Sequence, residues 1–126
     1  MDYALKFRAG GFLFYDSRAY HALLTLAERY GWQPAGTTRY LWRGKNSYVV
    51  NEAWNGEYRG NGGQEVSATD AANLADALER ALEDCPDVTV VKDQASPQAD
   101  EFREICDQGT VRRFIRCCHA GGFFIL

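Results

Sequence analysis

Residues 58–82 read YRGNGGQEVSATDAANLADALERAL, and this stretch is the most informative in the chain because a glycine-rich turn runs directly into a well-specified helix. Its apolar residues recur with the spacing of one helix face: Ala71, Leu74, Ala75, Leu78 and Leu82. Ser67 is predicted to cap the first free amides, and Asp70 is predicted to reach back to the cap residue, as in a capping box. We therefore expect a helix from Ser67 to Asp84.

The chain before this stretch predicts two strands and a helix. Residues 3–7 alternate between apolar and more polar side chains, as in a strand with one buried face, and residues 12–15 form a second apolar run. Helical spacing then follows in residues 18–30, after a candidate cap at Asp16 or Ser17. Gly31 suits the left-handed conformation that often ends a helix.

The middle of the chain is rich in tyrosine and tryptophan. Residues 37–43 and 48–54 alternate as two strands would. Asn55 and Gly56 form the dipeptide preferred in type I′ hairpin turns, and residues 57–59 are then a short third strand. We therefore predict an antiparallel meander in this region.

The C-terminal part predicts a strand, two helices and an apolar end. Residues 88–91 suit a short strand, Ser96–Pro97 begins a helix, and helical spacing returns in residues 111–118. Residues 123–126 are too apolar for a free tail, so we expect them to dock as a strand or into the core. The prediction is a single α+β domain, residues 1–126, with the meander packed against three to four helices.

Size and composition favour a compact protein. The chain has 126 residues, of which 46% are hydrophobic, and its apolar runs are far shorter than a membrane span. The first residues lack the basic start and apolar core of a secretion signal, so we expect a cytoplasmic protein with no membrane partner. We expect the four cysteines to be reduced: Cys85, Cys106, Cys117 and Cys118.

Charge is distributed unevenly. The net charge is −3, but residues 65–107 contain twelve acidic and three basic side chains. This acidic segment argues against nucleic acid as a partner, because phosphate binding needs clustered lysine and arginine. It suits a basic protein partner, and it equally suits an acidic helix surface whose only role is solvation.

No reactive motif is complete. The turn at residues 59–63 lacks the lysine of a phosphate-binding loop. The cysteines and the two histidines, His21 and His119, lack metal-ligand spacing, so we expect no metal and no cofactor. A pocket that combines Cys118 with a histidine and arginines remains an alternative, although Cys118 lies on the apolar face of its predicted helix.

Three sets of side chains are candidate binding residues. The acidic set is Glu79, Glu83 and Asp84. The aromatic set, which suits an interface, a stacking platform or a core, is Tyr40, Trp42, Tyr48, Trp54 and Tyr58. The basic set, which suits an anion or simply the negative end of a helix dipole, is Arg112, Arg113 and Arg116.

Two motifs resemble those of a set of small uncharacterised bacterial proteins. One is Tyr58-x-Gly-Asn-x-Gly-Gln64 ahead of the helix that begins at Ser67, and the other is Gly121-Gly122-Phe123-x-Ile125 near the C-terminus. The motif positions are turn and packing residues. The resemblance therefore implies a small bacterial domain and no particular catalytic residue.

These observations favour a non-enzymatic protein that binds or regulates another protein. An immunity-type inhibitor of a toxin is one candidate, and a homo-oligomer built through the aromatic strands is another arrangement. The alternative is a small enzyme or ligand-binding domain that uses the Cys/His/Arg pocket.

Overall fold

The computed structural model describes residues 2–45, 47–84 and 108–126. The predicted strand at 88–91 and the predicted helix that begins at Ser96–Pro97 lie outside the described residues. The elements in chain order are β1 (Asp2–Phe7), β2 (Phe12–Asp16), α1 (Ser17–Arg29), β3 (Tyr40–Gly44), β4 (Ser47–Val50), β5 (Gln64–Val66), α2 (Ala68–Asp84), α3 (Gln108–Ala120) and β6 (Phe123–Ile125).

Four strands form an antiparallel sheet in the order β2-β1-β6-β5. The C-terminal strand β6 lies between β1 and β5, where Ile125 is in register with Leu5 on one side and Gln64 on the other. Phe123 and Ile125 are completely buried. The α+β class, the antiparallel pairing and the docked C-terminal strand are therefore confirmed.

The helices cover one face of this sheet. The strand residues that point toward them are buried, whereas Phe12 and Phe14 point away and are exposed. The ring of Phe114 on α3 lies against the rings of Phe7, Tyr15 and Phe123, so one side chain joins α3 to three strands. Helix α2 packs against both α1 and α3.

Both helices of the first 84 residues begin where the capping residues predict. Asp16 caps α1 by accepting a hydrogen bond from the Ala19 amide at 2.7 Å, and Gly31 follows the helix with φ at 98°. At α2 the Ser67 hydroxyl accepts a bond from the Asp70 amide at 3.1 Å. Ser67 is therefore confirmed as the cap residue.

The second half of the predicted capping box is wrong. The Asp70 carboxylate is 1% exposed, and it accepts hydrogen bonds from the Trp32 indole at 3.0 Å and from the Ala35 amide at 3.3 Å. The Tyr58 hydroxyl donates a third. A buried carboxylate needs several donors, and these come from distant segments of the chain rather than from Ser67.

The tyrosine- and tryptophan-rich region differs from the predicted meander. Its β3 and β4 form a separate two-stranded hairpin, while the sheet that carries the helices is built from the other four strands. The predicted third strand at 57–59 is irregular chain. Positive φ angles occur at Gly44 and Lys45, within the hairpin, and Asn55 does not adopt the positive φ that a type I′ turn requires.

Gly122 permits a close backbone contact between the end of α3 and the start of α2. A Cβ at this position would lie well inside contact distance of the Val66 carbonyl oxygen and 3.1 Å from the Ala68 nitrogen. Both atoms belong to the backbone, so neither can rotate away.

We predict that Gly122→Ala lowers the free energy of unfolding by about 1–3 kcal/mol, because the added methyl group forces a backbone shift. Urea denaturation measures this change. Gly62→Ala is the matched control, since a Cβ there would meet the Arg39 guanidinium at an ordinary 3.5 Å. Equal stability of the two variants would contradict the close contact at Gly122.

Candidate functional site

The hairpin formed by β3 and β4 carries an unusual amount of exposed apolar surface. Trp42 is 54% exposed and Tyr48 is 64% exposed, and their rings pack edge to face with centroids 4.9 Å apart. The exposed large hydrophobic residues of the hairpin are Tyr40, Leu41, Trp42, Tyr48, Val49 and Val50. Apolar surface concentrated in this way is typical of an interaction site.

Hydrogen bonds hold the base of the hairpin against the main sheet. Thr38 and Glu65 of β5 exchange two backbone bonds, at 2.9 and 2.7 Å. The Asn51 amide donates to the Arg39 carbonyl at 2.7 Å, and the Trp54 indole donates to the Thr37 hydroxyl at 2.9 Å. These bonds therefore fix the chain before β3 and after β4, which is the base of the hairpin, and the two strands extend from it as its arms.

Glu65 also ties the hairpin to Arg8, the residue that follows β1, through its side chain. Its carboxylate accepts a bond from the Arg8 guanidinium and another from the Tyr40 hydroxyl, the latter at 2.9 Å. The bond from Arg8 is the main reason that the pKa of Glu65 lies below its usual value. The bond to Glu65 raises the pKa of Tyr40.

A pocket of about 380 Å³ lies between the hairpin and the main sheet. Arg8 covers one wall, where its guanidinium carbon lies 4.9 Å from the centre of the Phe124 ring. The other lining residues are Arg39, Tyr40, Tyr48, Gly62 and Gly63. The pocket can accept an apolar group, with guanidinium groups at its edge.

The hairpin is positively charged. Residues 39–50 contain three basic side chains, Arg39, Arg43 and Lys45, and no aspartate or glutamate. All three are exposed. The candidate surface therefore combines apolar contact area with positive charge.

The structure divides the predicted aromatic set. Tyr40 and Trp42 lie exposed on the hairpin, whereas Trp54 is half-buried at its base beneath the Arg39 guanidinium. Tyr58 is buried, and its hydroxyl donates to Asp70 and accepts from the Gly36 amide at 2.7 Å. Tyr58 therefore contributes to the core rather than to the exposed surface.

Parts of the acidic and basic sets come together. Glu79 and Glu83 of α2 line a groove of about 580 Å³ with Arg112 and Arg116 of α3. Arg113 is exposed. Asp84 lies at the end of α2, where it accepts a hydrogen bond from the Tyr30 hydroxyl at 2.5 Å.

The thiol and the imidazoles lie in different environments. Cys118 is completely buried, and burial raises the pKa of its thiol, which disfavours the reactive thiolate. His21 contacts the Tyr3 hydroxyl at 3.1 Å, and burial lowers its pKa. His119 is exposed and lies 3.0 Å from Glu79.

Sequence reasoning missed the aliphatic half of the hairpin and the role of Glu65. The strand-like pattern around Leu41, Val49 and Val50 ordinarily indicates burial, so it does not reveal that these side chains are exposed. One signal was available: apolar residues occupy both faces of β4, whereas a strand lying on a core usually has one polar face.

Comparisons with protein-family models, curated proteins and solved structures find no match to this chain. The resemblance of its two glycine motifs to small bacterial proteins stays a prediction. Among the described helices, none has the length and apolar character needed to cross a bilayer.

We predict that Glu65→Gln destabilises the protein at neutral pH, and that this difference shrinks on acidification. The pKa of Glu65 is lowered in the folded state, so its carboxylate stabilises the protein at pH values above its usual titration range. This stabilisation disappears as the pH falls and the carboxylate is protonated. Urea denaturation at about pH 7 and about pH 3 measures the effect. Glu52→Gln, in the exposed loop after β4, is the control. If the difference in unfolding free energy between the wild type and Glu65→Gln did not vary with pH, the role of the Glu65 charge would be contradicted.

Proposed function

We propose that this chain is a non-enzymatic protein-binding domain and that the β3–β4 hairpin is its contact surface. The observation that carries the proposal is the exposure of six large hydrophobic side chains on two short strands. A partner that covers this surface gains about 25 cal/mol of free energy for each Å² of apolar area removed from water. Tryptophan, tyrosine and arginine, all present here, are the residue types that dominate binding energy at interfaces.

A protein partner fits this surface better than a nucleic acid does. Leu41, Val49 and Val50 can neither stack on bases nor neutralise phosphates. Three basic residues are few for a nucleic-acid surface, and the chain as a whole is negative at −3.

The expected partner has an apolar patch bordered by acidic side chains. The apolar patch would cover Trp42 and Tyr48, and the acidic border would complement Arg39, Arg43 and Lys45. Within the described residues β4 pairs only with β3, so its outer edge also offers backbone groups to an added strand.

The acidic side chains of α2 favour a second, electrostatic contact with a basic patch elsewhere on the same partner, as the charge distribution predicts. Inhibition of a toxin in the manner of an immunity protein is a more specific form of the proposal, and a cytoplasmic location would suit it. The alternative, an enzyme that uses Cys118, has less support because the thiol is completely buried and burial raises its pKa.

The experiment starts with crosslinked lysate of the native cell, from which the purified chain captures candidate partners. Each captured protein is then purified, and its Kd is measured by calorimetry for the wild type and for variants. We predict that the double variant Trp42→Ser, Tyr48→Ser weakens binding at least about thirtyfold. Phe14→Ser is the control, since Phe14 is 73% exposed on β2, outside the hairpin.

Three outcomes would contradict the proposal. The first is equal binding by the wild type and the double variant. The second is capture of nucleic acid instead of protein. The third is a wild-type dimer that the double variant converts to a monomer in size-exclusion chromatography with light scattering, because a second copy of this chain would then occupy the hairpin.

A further inference from the structure

A second group of chemically matched side chains lies on the helices, away from the hairpin. Asp76 and Glu79 project from α2, and His119 projects from the last turn of α3. His119 Nε2 lies 3.0 Å from Glu79 Oε1 and 3.8 Å from Asp76 Oδ1. The three ligand atoms all lie within 4.8 Å of one another, and all three residues are exposed.

The convergence follows from the helix geometry. Residues three apart on a helix lie on the same side, so both carboxylates face the same direction. The packing of α2 against α3 brings the imidazole to them, and Leu78 of α2 and Cys118 of α3 are both completely buried. The donors are therefore carried by two packed helices rather than by a flexible loop.

We propose that Asp76, Glu79 and His119 form a binding site for a divalent transition metal ion of the Zn²⁺ type. Zn²⁺ accepts imidazole nitrogen and carboxylate oxygen at about 2.0–2.2 Å, which places tetrahedral ligand atoms about 3.4 Å apart. The separations from His119 to the two carboxylates, 3.0 and 3.8 Å, bracket that value. The ion would replace the present contact between His119 Nε2 and Glu79 Oε1, and the carboxylate oxygens of Asp76 and Glu79, which lie within 4.8 Å of each other, would turn toward it.

The donor set also discriminates among metals. Mg²⁺ and Ca²⁺ prefer sites made entirely of oxygen ligands, whereas an imidazole favours Zn²⁺, Ni²⁺ and Cu²⁺. Three protein ligands leave the fourth tetrahedral position to water or to a group from another molecule. This is the arrangement of an open site rather than of a closed structural one.

The test is calorimetric titration of tag-free, reduced protein with Zn²⁺, together with Co²⁺ absorption spectra that report ligand geometry. We expect one ion per chain. Replacing either kind of ligand, in His119→Ala and in Asp76→Asn, should weaken Zn²⁺ binding by more than about tenfold. Glu83→Gln is the matched control on the same exposed side of α2, and it should bind Zn²⁺ as the wild type does.

Circular dichroism verifies that each variant is folded, which the exposure of all three ligands leads us to expect. Absence of Zn²⁺ binding by the wild type would overturn the proposal. So would binding that persists in His119→Ala and disappears when the thiols are alkylated, because the ion would then sit on cysteines. Equal weakening by Glu83→Gln would show non-specific attraction to acidic charge and would also overturn it.

Discussion

The buried carboxylate of Asp70 is the interaction on which the rest of the structure depends. A charge that is 1% exposed is tolerable only when donors replace the lost water, and Trp32, Ala35 and Tyr58 supply them. The same Tyr58 hydroxyl accepts a bond from the Gly36 amide at 2.7 Å, and burial together with the bond to Asp70 raises its pKa. One carboxylate therefore joins the first turn of α2 to the two chain segments that flank the hairpin.

This arrangement explains how an exposed hairpin keeps a fixed position. Thr37, next to the segment that Asp70 holds, donates its hydroxyl proton to the Glu57 carbonyl at 2.6 Å and accepts from the Trp54 indole. Glu65 adds a bond to Arg8, the residue that follows β1. With both ends fixed, the apolar residues of the arms are presented in a preformed arrangement, which reduces the entropy lost on binding.

Patterns within a short stretch of sequence correctly predicted the helices and strands that such patterns are enough to specify. Helical spacing and caps placed α1 and α2, and the apolarity of residues 123–126 indicated the docked C-terminal strand. Tertiary contacts decided the rest. Asp70 has three distant donors that no sequence spacing reveals. The carbonyl of Gly56 accepts a hydrogen bond from the Thr37 amide, so a tertiary contact holds the Asn55–Gly56 dipeptide. His119 lies close to Asp76 only because α2 packs on α3. Alternating apolar residues predicted the two strands of the hairpin, but β3 begins at Tyr40 rather than Thr37 and β4 ends at Val50 rather than Trp54. Periodicity also does not distinguish a core from an interface.

A double-mutant cycle between Tyr58→Phe and Asp70→Ala tests the central role of Asp70 most directly, with the free energy of unfolding measured in urea for all four proteins. We predict a coupling energy of about 1.5–3 kcal/mol, as expected for a buried hydrogen bond to a charged group. The exposed Tyr30–Asp84 hydrogen bond, tested in the same way, provides the reference and should give less than about 0.5 kcal/mol. Additivity of the Tyr58 and Asp70 substitutions within about 0.5 kcal/mol would contradict a central role for the Asp70 carboxylate.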